Sequence, residues 1–279
     1  MAVRVGTILN WMDAWAPPET AESWDNVGLM VGDREQEVDR VLVALDVEPQ
    51  VIQEAAQMSA GLILTHHPLL FRALRQVSAQ SREGAMVLDL ARRGISLAAY
   101  HTNLDAAQGG VNDALAAQLG LVAVQPLRGL PMARWGMVNP CSMEALAHRV
   151  QASLQAPNLR VAGRYPASID RVAVCGGAGG DALTAAAAEG AQVLVTGELK
   201  YHEAQQAAYL GLAVVEAGHF YSERPVLPAV ASHLQMQAHA VQCKVEFICA
   251  QTVTCPYWVG MEPWMGRSKG VSECNSSNC

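Results

Sequence analysis

Aromatic residues are scarce in this 279-residue chain, at 5% of the sequence, and charged residues reach only 16%. The first shortage, beside plentiful alanine, fits helices packed on sheets better than an all-β sandwich. The second, with a hydrophobic fraction of 51%, excludes a disordered chain and leaves ample material for a core. There is no basic run. Lys+Arg is 19 against Asp+Glu 26, and the net charge of −7 argues against a protein that coats nucleic acid. No apolar stretch approaches the ~18 residues of a membrane span. The opening Met1-Ala2-Val3-Arg4-Val5-Gly6 has neither the apolar core nor the cleavage site of a secretory signal. The seven cysteines form no C-x-x-C pair, so a reducing cytosol is the expected compartment.

What is present is alternation. Ile8, Trp11, Met12 and Trp15 fall on one helical face, and Pro17-Pro18 ends that run. Strands are expected at 41–45, 61–65 and 95–100, with helices at 49–58, 83–93 and 111–119 between and after them. Residues 122–134, with two prolines and little periodicity, read as a connector. Ser142 suits the cap of a helix reaching Leu154. Strands then recur at 171–175, 193–195, 212–216 and 244–248, and Ser222 is expected to open a last helix. Strand–helix alternation of this kind predicts an α/β fold with mostly parallel strands. The halves also match in spacing. Arg40 opens a strand whose partner ends at Thr65, and Arg171 opens one whose partner ends at Thr196, 25 residues on in each case. The expected divisions are 1–125, 126–250 and a divergent, cysteine-containing tail at 251–279, expected to be dispensable for folding, metal content and assembly.

The chemistry sits just after the strands, where ligands bind in open parallel sheets. One strand ends Thr65-His66-His67-Pro68, another Tyr100-His101-Thr102-Asn103-Leu104-Asp105, a third Glu216-Ala217-Gly218-His219-Phe220-Tyr221-Ser222-Glu223. His66, His67, Asp105, His219 and Glu223 make a mixed nitrogen and oxygen ligand set, suited to Zn, Mn, Fe or Co. Five ligands are too many for one catalytic ion with an open position. They suit two divalent ions, with Glu223 as the bridge. His148, His233 and His239 read as ordinary histidines. Gly176-Gly177-Ala178-Gly179-Gly180 suits either a phosphate at a helix start or a tight packing turn. Lys200 and His202 are candidate acid or phosphate-binding groups beside the metals, and His101 is a candidate proton donor or support for Asp105. Trp24-Asp25-Asn26 is a candidate pocket wall.

With these segments in order, the chain resembles the NIF-three-like dinuclear metal proteins, also called GTP cyclohydrolase I type 2 homologues. The resemblance runs from about residue 5 to 248. It rests on Trp24-Asp25-Asn26-Val27-Gly28-Leu29, Thr65-His66-His67-Pro68-Leu69-Leu70-Phe71, His101-Thr102-Asn103-Leu104-Asp105, Val174-Cys175-Gly176-Gly177, Thr196-Gly197-Glu198-Leu199-Lys200-Tyr201-His202, and Gly218-His219 with Ser222-Glu223. It implies two interlocked α/β domains, two metals on the five residues named above, and a ring-shaped homohexamer with its metal sites facing an inner cavity. Two departures stand out. Glu48 follows Leu45-Asp46-Val47 where the family commonly has Thr, and the segment after Cys249 looks foreign to it.

The expected function is a cytosolic binuclear metal-binding protein. Its reaction class would be hydrolysis, by a metal-bridging hydroxide, of a small-molecule or nucleotide substrate. The alternatives are a metal chaperone, insertase or store without turnover, and an interaction scaffold. No membrane partner is expected.

Overall fold

A computed structural model describes residues 2–257. The elements follow the order β1 (Val3–Arg4), α1 (Val5–Trp15), β2 (Gly28–Val31), β3 (Glu37–Val38), β4 (Arg40–Ala44), α2 (Pro49–Gln57), β5 (Leu62–Thr65), α3 (Arg82–Arg93), β6 (Ser96–Ala99), α4 (Thr102–Ala106) and α5 (Val111–Gln118). They continue with β7 (Val122–Leu127), β8 (Leu130–Cys141), α6 (Met143–Leu154), β9 (Arg160–Gly163), β10 (Ile169–Ala178), α7 (Ala182–Ala188), β11 (Val193–Glu198), α8 (Tyr201–Leu210), β12 (Ala213–Glu216), α9 (His219–Glu223), α10 (Val226–Ala240) and β13 (Glu246–Cys249).

Two sheets carry the structure. The five-stranded one has the order β13-β4-β5-β6-β2, and the six-stranded one β7-β8-β10-β11-β12-β9. The central strands of each run parallel, with antiparallel strands added outside them. Both faces of each sheet are apolar, because alternate side chains go to different cores. In β4, Val41 and Val43 face α1 and α10, while Leu42 and Ala44 face the core shared with α2 and α3. In β10, Val172 and Val174 face α5 and α6, while Ala173 and Cys175 face α7 and α8. The halves repeat in register as well as spacing: Val41 pairs with Leu62 and Val172 with Val193, the same offset of 21 residues.

Chain order and sheet membership do not coincide. Leu115 and Ala116 of α5 are buried in the second core, while α10 packs on the first and β13 pairs with β4. The segment 226–250 therefore returns to the first sheet instead of completing the second, and β7 joins the second sheet across the 125/126 division. These exchanges interlock the halves.

Three local expectations are corrected. Residues 122–134 are not a connector but most of an antiparallel hairpin, β7–β8, turning at Gly129 (φ +85°). Pro126 is accommodated because β7 is an edge strand, and Pro131 because it sits beside the turn, before the β8 residues that pair with β10. Ser222 does not open the last helix: the chain turns at Gly218 (φ +90°), α9 begins at His219, and Pro225 separates it from α10. Glu223 thus closes a short helix and owes nothing to a positive helix end. Finally, residues 251–257, the start of the tail expected to be dispensable, are tied to the first half. The Gln251 and Thr252 amides and the Thr252 hydroxyl donate to Glu54 of α2. The rest of the expected tail, with Cys274 and Cys279, lies outside the described residues. Among the described residues no helix is long and apolar enough to cross a membrane.

Candidate metal centre

Two neighbouring strands of the first sheet and one of the second end at one point. Beyond β5 the ladder continues for two residues, with the His66 and His67 amides donating to the Ala44 and Leu45 carbonyls at 3.3 and 2.9 Å. The Thr65 hydroxyl donates to the His67 carbonyl at 2.8 Å, and Pro68 ends the pairing. Beyond β6, Tyr100 donates to the Thr65 carbonyl, His101 follows, and α4 brings Asp105 round. Beyond β12, α9 places His219 and Glu223 four residues apart on one helical face.

Each histidine has its Nδ1 side occupied. His66 Nδ1 lies 3.0 Å from the Tyr100 carbonyl, which only accepts, so Nδ1 carries a proton and Nε2 is the nitrogen left to face the cluster. His67 Nδ1 meets Asp46 Oδ1 at 2.7 Å, His219 Nδ1 meets Glu198 Oε1 at 3.3 Å, and His101 Nδ1 meets Asp25 Oδ1 at 3.0 Å. The opposite nitrogens of His66, His67 and His219 converge on Glu223. Its Oε1 is 3.2 Å from His219 Nε2 and 3.8 Å from His66 Nε2, and its Oε2 is 3.0 Å from His67 Nε2. Asp105 Oδ1 lies 3.8 Å from His66 Nε2. The potential ligand atoms fall into two groups sharing His67: His66, His67 and His101, and His67, His219 and Glu223.

These residues fit a metal. His66 Nε2 and Glu223 Oε2 are buried without a well-aligned hydrogen bond, although each points into the cluster. Unpaired buried polar atoms cost free energy unless a partner is present, and a cation is a partner both can share. Nδ1 held by an acceptor while Nε2 faces inward is the arrangement that orients metal-ligating histidines. The electrostatics agree. Burial pushes the Glu223 carboxyl up, but the histidines facing it outweigh that and hold it well below the usual carboxylate range. Burial lowers His67, yet Asp46 and Glu223 more than reverse this and raise it to about 10. His219 is raised to about 8, with Glu223 again outweighing burial. Asp105 is pushed up to about 6, chiefly by burial. Burial, with the neighbouring His66, lowers His101 to about 4, so it stays neutral at pH 7. Protons stand where the carboxylates call for positive charge.

Gly177 explains part of the glycine run. At φ +65°, a Cβ there would lie 2.3 Å from Glu223 Oε1 and 3.2 Å from His219 Nε2. A Cβ on Gly179 would lie 2.1 Å from Thr196 Oγ1. The run is thus a close-packing turn that lets β10 pass under the centre.

The structure therefore brings His66, His67, His101, Asp105, His219 and Glu223 together. Lys200 and His202 stand apart, because α8 starts there and turns them outward. Lys200 is 87% exposed and reaches Glu203 at 3.4 Å, and His202 is exposed beside Gln205. Asp46 and Glu198, which support His67 and His219, carry no sequence signal, for no spacing rule connects them to their partners. Glu48 occupies the N-cap position of α2, but its side chain makes no capping hydrogen bond and pairs with Arg82 instead. It lines a cavity of about 250 Å³ with His67, His219, Pro256 and Tyr257. On the far side, the exposed rings of Trp24 and Phe71 stand 6.2 and 6.4 Å from the His101 ring.

Two interlocked α/β halves with a histidine–carboxylate cluster at their strand ends define a protein able to hold metal between two sheets. The Duf34/NIF3 family (NGG1p interacting factor 3) matches residues 3–256, and the chain belongs to that family. It is 35% identical over 262 residues to a protein of Clostridium perfringens named GTP cyclohydrolase 1 type 2 homolog, covering 91% of this chain and 99% of that one. The fold is that of a Bacillus cereus protein related to NIF3 (TM-score 0.88, 24% identity, 93% of this chain and 100% of that chain). It is equally close to the Staphylococcus aureus hypothetical protein SA1388 (TM-score 0.87, 26% identity, 93% and 100%).

Proposed function

We propose that this chain binds two divalent metal ions and uses them to hydrolyse a small-molecule substrate. The observation that carries the reading is the convergence of three Nε2 atoms on the buried Glu223, with every Nδ1 already engaged. His66 and Asp105 would hold one ion, His67 and His219 the other, with Glu223 shared between them. Bound there, such ions supply Lewis acidity and acidify water. His101 stays neutral, is held by Asp25, and is the group proposed to move a proton at its Nε2. Trp24 and Phe71, their rings tilted 58° to one another, offer an apolar wall for a ring-bearing substrate. Nucleotides are the first candidates, since the Clostridium perfringens relative is named for a GTP cyclohydrolase. The test is a screen of protein purified without chelator against nucleotides and phosphoesters. Turnover lost on chelation and restored by metal is expected.

A second reading is favoured by the unequal exposure of the two halves. The side chains of His66 and Asp105 are 1% and 16% exposed, those of His67 and His219 24% and 33%. An accessible half suits a carrier that surrenders its ion. Absent turnover together with transfer of metal to an apo-acceptor would favour that reading over hydrolysis.

The proposed assembly is a homohexamer, as the family resemblance implies. Exposed Tyr165, Tyr201 and Tyr209 near the edge strand β9 are consistent with further contacts. Light scattering should give about 180 kDa, six times 29.8 kDa. A monomer at micromolar concentration would contradict it.

A further inference from the structure

The segment 250–257 leaves β13 and crosses to the metal centre. The Ala250 amide completes the pairing with β4 at the Val43 carbonyl (2.8 Å). Glu54 then fixes the chain through the Gln251 amide (2.7 Å), the Thr252 amide (3.0 Å) and the Thr252 hydroxyl (2.5 Å). Two residues further on, the Thr254 hydroxyl donates to Asp46 Oδ2. The other oxygen of that carboxylate, Oδ1, accepts from His67 Nδ1. Pro256 and Tyr257 continue along the cavity beside His67 and His219.

We propose that Thr254 is a positioning residue for metal binding: it fixes the Asp46 carboxylate, which in turn orients His67 toward Glu223. A carboxylate with one bonded oxygen is free to swing about its Cβ–Cγ bond, taking the imidazole with it. Bonded at both oxygens, it is held in one plane, and His67 Nε2 stays aimed at Glu223 Oε2. The C-terminal segment thereby belongs to the His67–His219 half of the centre, while His66, held by a main-chain carbonyl of Tyr100, is independent of it. Coupling of this kind is reciprocal: if the segment strengthens metal binding, bound metal strengthens the segment's own attachment.

The inference rests on the two-metal reading, and the test separates the two. Cobalt(II) is titrated into metal-free full-length wild type, Thr254→Val and Thr254→Ser, following the visible absorption bands. Thr254→Val should weaken one of the two equivalents about 10-fold, within the range of losses when support to a ligand is removed, and leave the other unchanged. Thr254→Ser, which restores the hydroxyl, should restore the affinity. In wild type, hydrogen exchange of the amides of 250–257 should slow on cobalt addition, and in Thr254→Val this slowing should be lost. Identical titrations for wild type and Thr254→Val would overturn the inference alone, as would unchanged exchange of the segment in wild type. A wild-type chain that takes up no cobalt would overturn the metal reading and this inference together.

Discussion

Glu223→Gln should leave the protein folded with no more than one metal ion per chain. The substitution keeps the side chain's shape and one acceptor oxygen but removes the charge. In the native chain that charge is 96% buried with its residue and faced by three histidines. The two carboxylate oxygens divide their contacts, Oε1 toward His219 and His66, Oε2 toward His67. An amide in the same place offers a neutral oxygen to one side and an N–H₂ donor to the other. With the N–H₂ end in the Oε2 position facing His67, it cannot ligate a cation there, so the His67–His219 half should lose its ion. His66 and Asp105 should retain the other. Any hydrolytic activity should fall by orders of magnitude, since a two-metal reaction needs both ions. In a carrier, delivery of the remaining ion would persist at reduced stoichiometry. Two ions bound with unchanged affinity would contradict the shared role of Glu223.

Metal affinity should also fall steeply in acid. In the metal-free protein His67 titrates at about 10 and His219 at about 8, so both carry a proton at pH 7. Ligation needs them neutral. Binding at pH 7 should therefore release about two protons per chain, and affinity should rise up to ~100-fold per pH unit between about 6 and 7. Between about 8 and 10 only His67 remains to be deprotonated, and the slope should fall to ~10-fold per unit. Below about 6 the protonation of Asp105 adds to the loss. Stability of the metal-free protein runs the other way. Both histidines are raised above their ordinary 6.5, so their protonation stabilises the fold fully below 6.5. That contribution is lost as pH climbs through about 8 and then about 10. The gap in melting temperature between loaded and metal-free protein should widen from pH 6 to pH 9. Calorimetry in buffers of differing ionisation enthalpy counts the protons, and a release near zero at pH 7 would contradict this charge assignment.

Much of the fold is written in the punctuation of the sequence. Gly94 sits at φ +66° after α3, Ser81 accepts from the Gly84 amide, and Ser142 accepts from the Ala145 amide, as helix signals of these types require. The strand-end histidines and carboxylates were legible for the same reason: apolar runs stop abruptly at polar, metal-competent residues. The hairpin of β7 and β8 was hidden because Pro126 and Pro131 discourage a strand reading except at an edge or beside a turn, and both are properties of the folded sheet. Ser222 imitated a helix cap. In the structure its hydroxyl donates to the His219 carbonyl and accepts from the Gly177 amide, a tertiary contact that no local pattern announces. The exchange of α5 and β13 between the halves was equally silent, since both cores ask for the same apolar residues. The segment 251–257 has no periodicity at all. Its order comes from Glu54 and Asp46, residues about 200 positions earlier in the chain.

The most direct measurement is the metal content of the natively purified chain and of a His66→Ala/His67→Ala variant, by elemental analysis. The double substitution removes one ligand from each half of the centre. The account predicts close to two divalent ions per wild-type chain and none in the variant. A wild-type value near zero, or two equivalents retained in the variant, would contradict it.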